Sequence, residues 1–212
     1  MKFNHIILAS LIGVSTALLH SQVATAKLKY AIATPNNQRY QLNSQKLKQL
    51  KTPDANDYLD QGLDQYEKGN YPEAIADYTA ALKINPLLVQ AYYLRAIARS
   101  RLEDHREDYD AIADYTAALR INPQLTKVYY LRGNTHTRLG YYQEAIADYT
   151  AALKINPHNA ELYDFRGKVN ARLGANRDAM ADFQQAANLF QQQGNRELYE
   201  KALESLRRIQ EL

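Results

Sequence analysis

The chain of 212 residues has no cysteine, no tryptophan, only two methionines and no acidic residue before Asp54. Without cysteine there is no disulfide, no thiolate nucleophile, no thiolate-bound metal and no lipid attachment at a cysteine, so packing alone must hold the fold. Long apolar runs are nearly absent too. The longest, Ile6–Leu19, covers 14 residues and is broken by Ser and Thr, short of the roughly 20 that a membrane-crossing helix needs. Catalytic signatures are missing as well. There is no H-E-x-x-H, no G-x-S-x-G and no phosphate-cradling glycine loop, and the five histidines (His5, His20, His105, His136, His158) never pair at i+3 or i+4. These absences argue against an enzyme, and no residue is assigned a catalytic, metal-binding or cofactor-binding role.

Charge is unevenly placed. Lys2 precedes the apolar stretch, and Ala24-Thr25-Ala26 offers small residues at a cleavage spacing, so residues 1–26 are expected to be a signal peptide. The mature chain is then exported, with the periplasm as the expected compartment and a thylakoid lumen or the extracellular space as alternatives. Six bases and no acid follow between Lys27 and Pro53, whereas 19 bases and 23 acids share Asp54–Leu212. Residues 27–54 read as a basic, flexible arm suited to weak contact with an anionic membrane or polyanion. The acidic body and the expected export argue against nucleic acid.

What is present is repetition. The string A-I-A-D-Y-T-A-A-L-[KR]-I-N-P occurs at Ala74–Pro86, Ala111–Pro123 and Ala145–Pro157, and an eroded copy starts at Ala179. A period near 34 residues means one supersecondary unit stacked on itself. In the best-preserved unit, Thr126–Leu139 is expected to form a first helix ended by Gly140. Gln143–Ile155 forms a second, closed by Asn156-Pro157 because the residue before proline avoids the helical region. Its apolar positions, Tyr142, Ala145, Ile146, Tyr149, Ala152 and Leu153, fall at helical spacing. Gly62/Gly69, Gly133/Gly140 and Gly167/Gly174 recur as pairs seven residues apart. The first of each pair implies close helix approach and the second a left-handed helix end.

The aromatic, glycine, aromatic, alanine and proline positions of the third unit are Tyr129, Gly133, Gly140, Tyr142, Ala145, Tyr149, Ala152 and Pro157. In the first unit they are Tyr58, Gly62, Gly69, Tyr71, Ala74, Tyr78, Ala81 and Pro86. In this the unit resembles the tetratricopeptide repeat, from Ala55 to about Gln193. The fourth unit departs from the pattern at Asn176 and Gln191. The R-G and A-I-A-D-Y wording is similar to variants common in photosynthetic bacteria. The resemblance implies an all-α fold, a right-handed α-solenoid of helix–turn–helix repeats. The expected units are residues 55–88, 89–125, 126–159 and 160–193, and 194–212 is expected to be a capping helix. The second unit holds three extra residues within Glu103–Asp110. No glycine or terminal Glu gives its five acids a calcium-loop spacing, so a solvated loop is expected there.

Two ladders of side chains repeat with the units. Asp77, Asp114 and Asp148 lie in second helices, and Arg95, Arg132 and Arg166 in first helices. The expectation is a structural ion pair between the Asp of one unit and the Arg of the next (Asp77–Arg95, Asp114–Arg132, Asp148–Arg166), because half-buried charges persist mainly when paired. The second ladder follows from the resemblance, which implies that first helices line a concave groove. There the stripe passes from apolar residues to Tyr93 and Tyr130, then to Arg101, Arg138 and Arg172, with Lys127, Asn134 and Lys168 beside them. Arginine forks suit carboxylates and tyrosine offers rigid contact area. The expected role is a monomeric, non-catalytic scaffold binding a protein or peptide, acidic in character. The carboxylate clamp of chaperone-binding relatives is not expected, since only Asn134 matches it and Leu59, Tyr93 and Leu131 hold other clamp positions.

Overall fold

The refrain A-I-A-D-Y-T-A-A-L is rich in strong helix formers, and its first and last alanines fall with the tyrosine on one helical face. In the computed structural model, which describes residues 52–102 and 104–211, it lies in the second of two helices per repeat. The described residues form nine α-helices and no strand: α1 Ala55–Glu67, α2 Tyr71–Ile84, α3 Val89–Ser100, α4 His105–Ile121, α5 Thr126–Arg138, α6 Tyr142–Ile155, α7 Ala160–Arg172, α8 Asn176–Gln192 and α9 Arg196–Gln210. Each helix packs on the next in sequence, and α1 also touches α3. This is an all-α solenoid of helical repeats. The expected signal peptide and nearly all of the basic arm lie outside the described residues.

One face of the refrain is buried in every repeat. Ala74, Tyr78 and Ala81 in α2 are closed to solvent, as are Ala111, Tyr115 and Ala118 in α4, Ala145, Tyr149 and Ala152 in α6, and Ala179, Phe183 and Ala186 in α8. The aromatic rings lie against the first helix of their own repeat. A Cβ added at Gly62 would stand 2.5 Å from the Tyr78 ring, and one at Gly133 2.8 Å from the Tyr149 ring. That approach explains why a residue with poor helix propensity recurs inside a helix.

Helix ends follow the local chemistry. Gly69 and Gly140 take φ near +80°. Around Gly69, the amide of Asn70 reaches back to the Gln65 carbonyl and that of Gly69 to the Tyr66 carbonyl, satisfying carbonyls the helix leaves open. At the other end of the repeat, α2, α4 and α6 stop at Ile84, Ile121 and Ile155, each followed by Asn-Pro. Where the fourth repeat lacks that proline, α8 runs on to 17 residues against 14 in α2 and α6.

The three extra residues of the second repeat do not form the expected solvated loop. They lengthen α4, which also has 17 residues, by a turn at its N-terminus. Asp104 caps that turn by accepting from the amide of Arg106 at 2.8 Å, and Glu107 and Asp108 fall in the first turn, where the helix dipole favours acids. Arg99 and Arg138, from the neighbouring first helices, take up these acids: Arg99 pairs with Glu107 at 3.4 Å and Arg138 with the buried Asp108.

Leu198, Tyr199, Ala202 and Leu203 of α9 join a cluster with Ala186, Ala187, Leu189 and Phe190 of α8, covering the last repeat. No helix among the described residues is long and apolar enough to cross a membrane.

Candidate functional site

The repeated charges form a lock, though not between the partners expected. Residues two apart on a helix point about 200° apart, to opposite sides. Asp148 and Thr150 on α6 therefore face different first helices. Asp148 turns to α5 of its own repeat, where Arg132 Nη2 donates to it at 2.6 Å. Thr150 turns to α7 of the next repeat and accepts from Arg166 Nη1 at 2.9 Å. Arg95 and Asp114 pair in the same way at 2.6 Å, and Arg166 and Asp182 at 2.7 Å. Arg95 also donates to Thr79, and Arg132 to Thr116. None of the expected pairs Asp77–Arg95, Asp114–Arg132 and Asp148–Arg166 forms. Each arginine pairs with the acid of its own repeat and reaches the previous repeat only through a threonine hydroxyl.

Each guanidinium also lies over the tyrosine three residues earlier, Tyr92, Tyr129 or Tyr163, at 5.6 to 5.7 Å from the ring centroid. The acid takes a further donor four residues beyond the arginine. That position holds Arg99 on Asp114, His136 on Asp148 and Asn170 on Asp182. Asp77 has no such partners, because Gln61 and Gln65 stand where the arginine and this donor would be. Burial pushes its carboxyl above the usual range.

The eight residues expected to line a groove differ more than their repetition suggests. Tyr93 is half-buried against the cluster of α3, α4 and α5. Tyr130 is half-buried with its ring 5.1 Å from Phe165 on α7. Asn134 accepts from the Tyr149 hydroxyl at 2.7 Å. Arg101, immediately after α3, donates to the Tyr66 hydroxyl on α1 at 3.1 Å, and this bond raises the affinity of Arg101 for its proton. Arg138 is committed to Asp108. Lys168 pairs with Asp164 and lies over the Phe165 ring at 5.6 Å. Only Lys127 and Arg172 are exposed and make no hydrogen bond or ion pair.

The Arg101–Tyr66 and Tyr130–Phe165 contacts join α1 to α3 and α5 to α7, so the first helices share a face. At one end of it, a cavity of about 300 Å³ opens between α5, the α6–α7 connection and α7. Lys127, Tyr130, Asn156, Asn159 and Glu161 line it. This combination offers an aromatic wall, one unpaired cation, one carboxylate and two side-chain amides, a set that can hold a polar chain segment. Among the described residues, no group of three or more His, Asp or Glu is placed to hold a metal ion. Sequence reasoning missed the buried Asp108–Arg138 bond. Asp108 stands where the first and third repeats have Tyr71 and Tyr142, and that departure was the available signal.

Comparison with known proteins agrees with this architecture. Residues 126–159 match a family described as tetratricopeptide repeat, and residues 62–102 match one described as TPR repeat. No curated protein matches significantly. Among solved structures, MamA is similar at TM-score 0.60 and 19% identity, with 74% of this chain and 92% of MamA covered. YrrB, described as a TPR protein with an unusual peptide-binding site, is similar at TM-score 0.56 and 21% identity, with 74% and 87% covered. The first TPR of Spaghetti (RPAP3), bound to the HSP90 peptide SRMEEVD, is similar at TM-score 0.53 and 29% identity, with 57% and 93% covered. Repeated sequence, stacked helix pairs and these similarities agree that the chain carries tetratricopeptide repeats.

Proposed function

We propose that the chain is a protein–protein interaction scaffold that holds a peptide or protein segment, acidic in character, on the face of its first helices. The observation that carries this reading is the pairing of an exposed, unbonded Lys127 with the half-buried Tyr130 in the cavity beside α7. Arg172 supplies a second unbonded cation near the end of α7. Exposed cations next to aromatic surface suit carboxylate side chains, with aromatic contact area supplying much of the affinity. Two similar structures support the reading: one is described as having a peptide-binding site, and the other holds the peptide SRMEEVD. Tetratricopeptide-repeat proteins are generally non-catalytic scaffolds. The expected leader of residues 1–26 supports an extracytoplasmic setting.

Arg138 is not a free contact. A glutamate there would face the buried Asp108 and damage the fold, so Arg138→Glu is a poor probe of binding. Lys127→Glu with Arg172→Glu is the better test. Partner segments captured from the native compartment by crosslinking and mass spectrometry should be enriched in Asp and Glu. Affinity for those segments should fall about tenfold or more in the double variant, with circular dichroism unchanged. Equal capture by both proteins would refute the assignment of this face.

A further inference from the structure

The junction between the second and third repeats holds a pair of side chains that the repeat does not require. Tyr109 lies in α4 and Tyr141 immediately precedes α6. Their hydroxyls are 2.8 Å apart, with ring centroids 6.2 Å apart and planes inclined at 52°. Both rings are open to solvent, Tyr109 at 51% and Tyr141 at 41% exposure. The preceding junction has Pro72 and Glu107 in the same register, and the following one has Gln143 and Ala175. The scaffold is thus built at two junctions without an aromatic pair. At this one, the Arg138–Asp108 bond ties the end of α5 to the start of α4, and His136 stands edge-on to Tyr141 at 6.4 Å. The hydrogen bond with Tyr109 also holds the Tyr141 hydroxyl above the ordinary phenol range.

We propose that Tyr109 and Tyr141 form an oxidative modification site, joined as an intrachain dityrosine by a haem peroxidase with hydrogen peroxide. Each phenol loses one electron and its hydroxyl proton, leaving a phenoxyl radical. Unpaired spin resides on the oxygen and on the ring carbons ortho and para to it. The para carbon carries Cβ, so coupling goes through the ortho carbons, Cε. Hydroxyls in contact bring the ortho edges of both rings face to face. A Cε–Cε bond forms, the two Cε hydrogens pass to the oxygens, and both aromatic phenols are restored. In total the protein loses two electrons and two protons, which reduce one hydrogen peroxide to two waters. The product ties the second repeat to the third by a covalent bond.

The chain contains its own comparison. The rings of Tyr66 and Tyr71 are closer, with centroids 5.4 Å apart, but the Tyr66 hydroxyl accepts from Arg101 instead of meeting a second tyrosine. If hydroxyl contact directs the coupling, Tyr109–Tyr141 reacts and Tyr66–Tyr71 does not.

The test is oxidation of dilute full-length chain with haem peroxidase and hydrogen peroxide. The monomer should become two hydrogens lighter and acquire blue dityrosine fluorescence. Proteolysis with trypsin should yield peptide 107–120 linked to peptide 139–154, with fragment ions placing the bond on Tyr109 and Tyr141. Tyr109→Phe and Tyr141→Phe should each reduce monomer fluorescence at least tenfold at unchanged circular dichroism, and Tyr71→Phe should leave it intact. The proposal is overturned if the bond maps to Tyr66–Tyr71 or another pair, if only chain-to-chain links form, or if Tyr109→Phe keeps the monomer signal.

Discussion

Helices α2 and α6 differ at one position in 14, Pro72 against Gln143, yet the same side chains in them live in different surroundings. Asp148 in α6 is 3% exposed and held by Arg132 and His136, while Asp77 in α2 is half-buried and has neither. The Tyr149 hydroxyl donates to Asn134, while the buried Tyr78 hydroxyl has no partner. The difference comes from the first helices. Where α5 presents Arg132, Asn134 and His136, α1 presents Gln61, Leu63 and Gln65. An almost identical helix is therefore stabilised differently according to the helix it packs against, and the conserved wording of the refrain does not by itself measure its contribution.

The strongest way to break this comparison is to remove the acids one at a time. Asp148→Ala strands Arg132 in a half-buried position and should cost about 3 kcal/mol, the range seen when one partner of a buried pair is lost. Asp77→Ala should cost no more than about 0.5 kcal/mol. Urea unfolding of the two variants checks this, and equal losses would show that the arginine lock is irrelevant. The coupled partner of Asp148 is Arg132: a double-mutant cycle should show interaction energy for Asp148 with Arg132 and much less for Asp148 with Arg166.

The comparison can also be sharpened by transplanting the missing part. Tyr58 already stands where Tyr129 supports Arg132, and Asp77 is unbonded. Gln61→Arg should let a guanidinium lie on Tyr58 and donate to Asp77, gaining about 1 kcal/mol. An unchanged urea midpoint would mean that α1 and α2 are not spaced as α5 and α6 are.

The tyrosines give the smallest effects. Tyr149→Phe should cost about 1 kcal/mol through the lost bond to Asn134, and Tyr78→Phe should be neutral or slightly stabilising because its hydroxyl has nothing to lose. Burial is the main cause that pushes the Tyr78 hydroxyl from 10.0 up to about 12. The unfolded chain therefore releases this proton first as pH rises. The contribution of the neutral phenol is complete below pH 10 and is lost as pH climbs to about 12. Thermal midpoints across that window should fall less steeply for Tyr78→Phe than for the parent chain.

Helix pairs, glycine turns and the buried face were legible in the sequence because they repeat in phase: Ala145, Tyr149 and Ala152 announce a face, and Gly140 announces an end. The pairing of charges was not. Arg132 lies 18 residues after Asp114 and 16 before Asp148, and with a period of 34 either acid fits a helical hairpin. The residue that decides is Thr150, which takes the opposite side of α6 from Asp148. The extra turn of α4 was hidden because its acids read as loop until Asp104 supplies a cap and Arg99 and Arg138 supply opposite charge. Of the groove stripe, the positions were legible and the commitments were not. Arg138 and Arg172 occupy equivalent places, but only Arg138 finds a buried carboxylate, because a residue of the α4 N-terminus departs from the pattern.

Arginine, aspartate and the auxiliary donor all belong to one repeat, and only a neutral hydroxyl crosses to its neighbour. A gene segment encoding one such cassette carries its own counter-ions. Inserted beside another copy, its arginine–aspartate lock brings no orphaned charge and asks of its new neighbour only a threonine. Deleted, it leaves the threonine of the preceding repeat facing the arginine of the following one. Tandem duplication of such a stretch is thus compatible with the buried charges, and the refrain shared by α4 and α6, whose repeats both carry the lock, is what such an origin would leave.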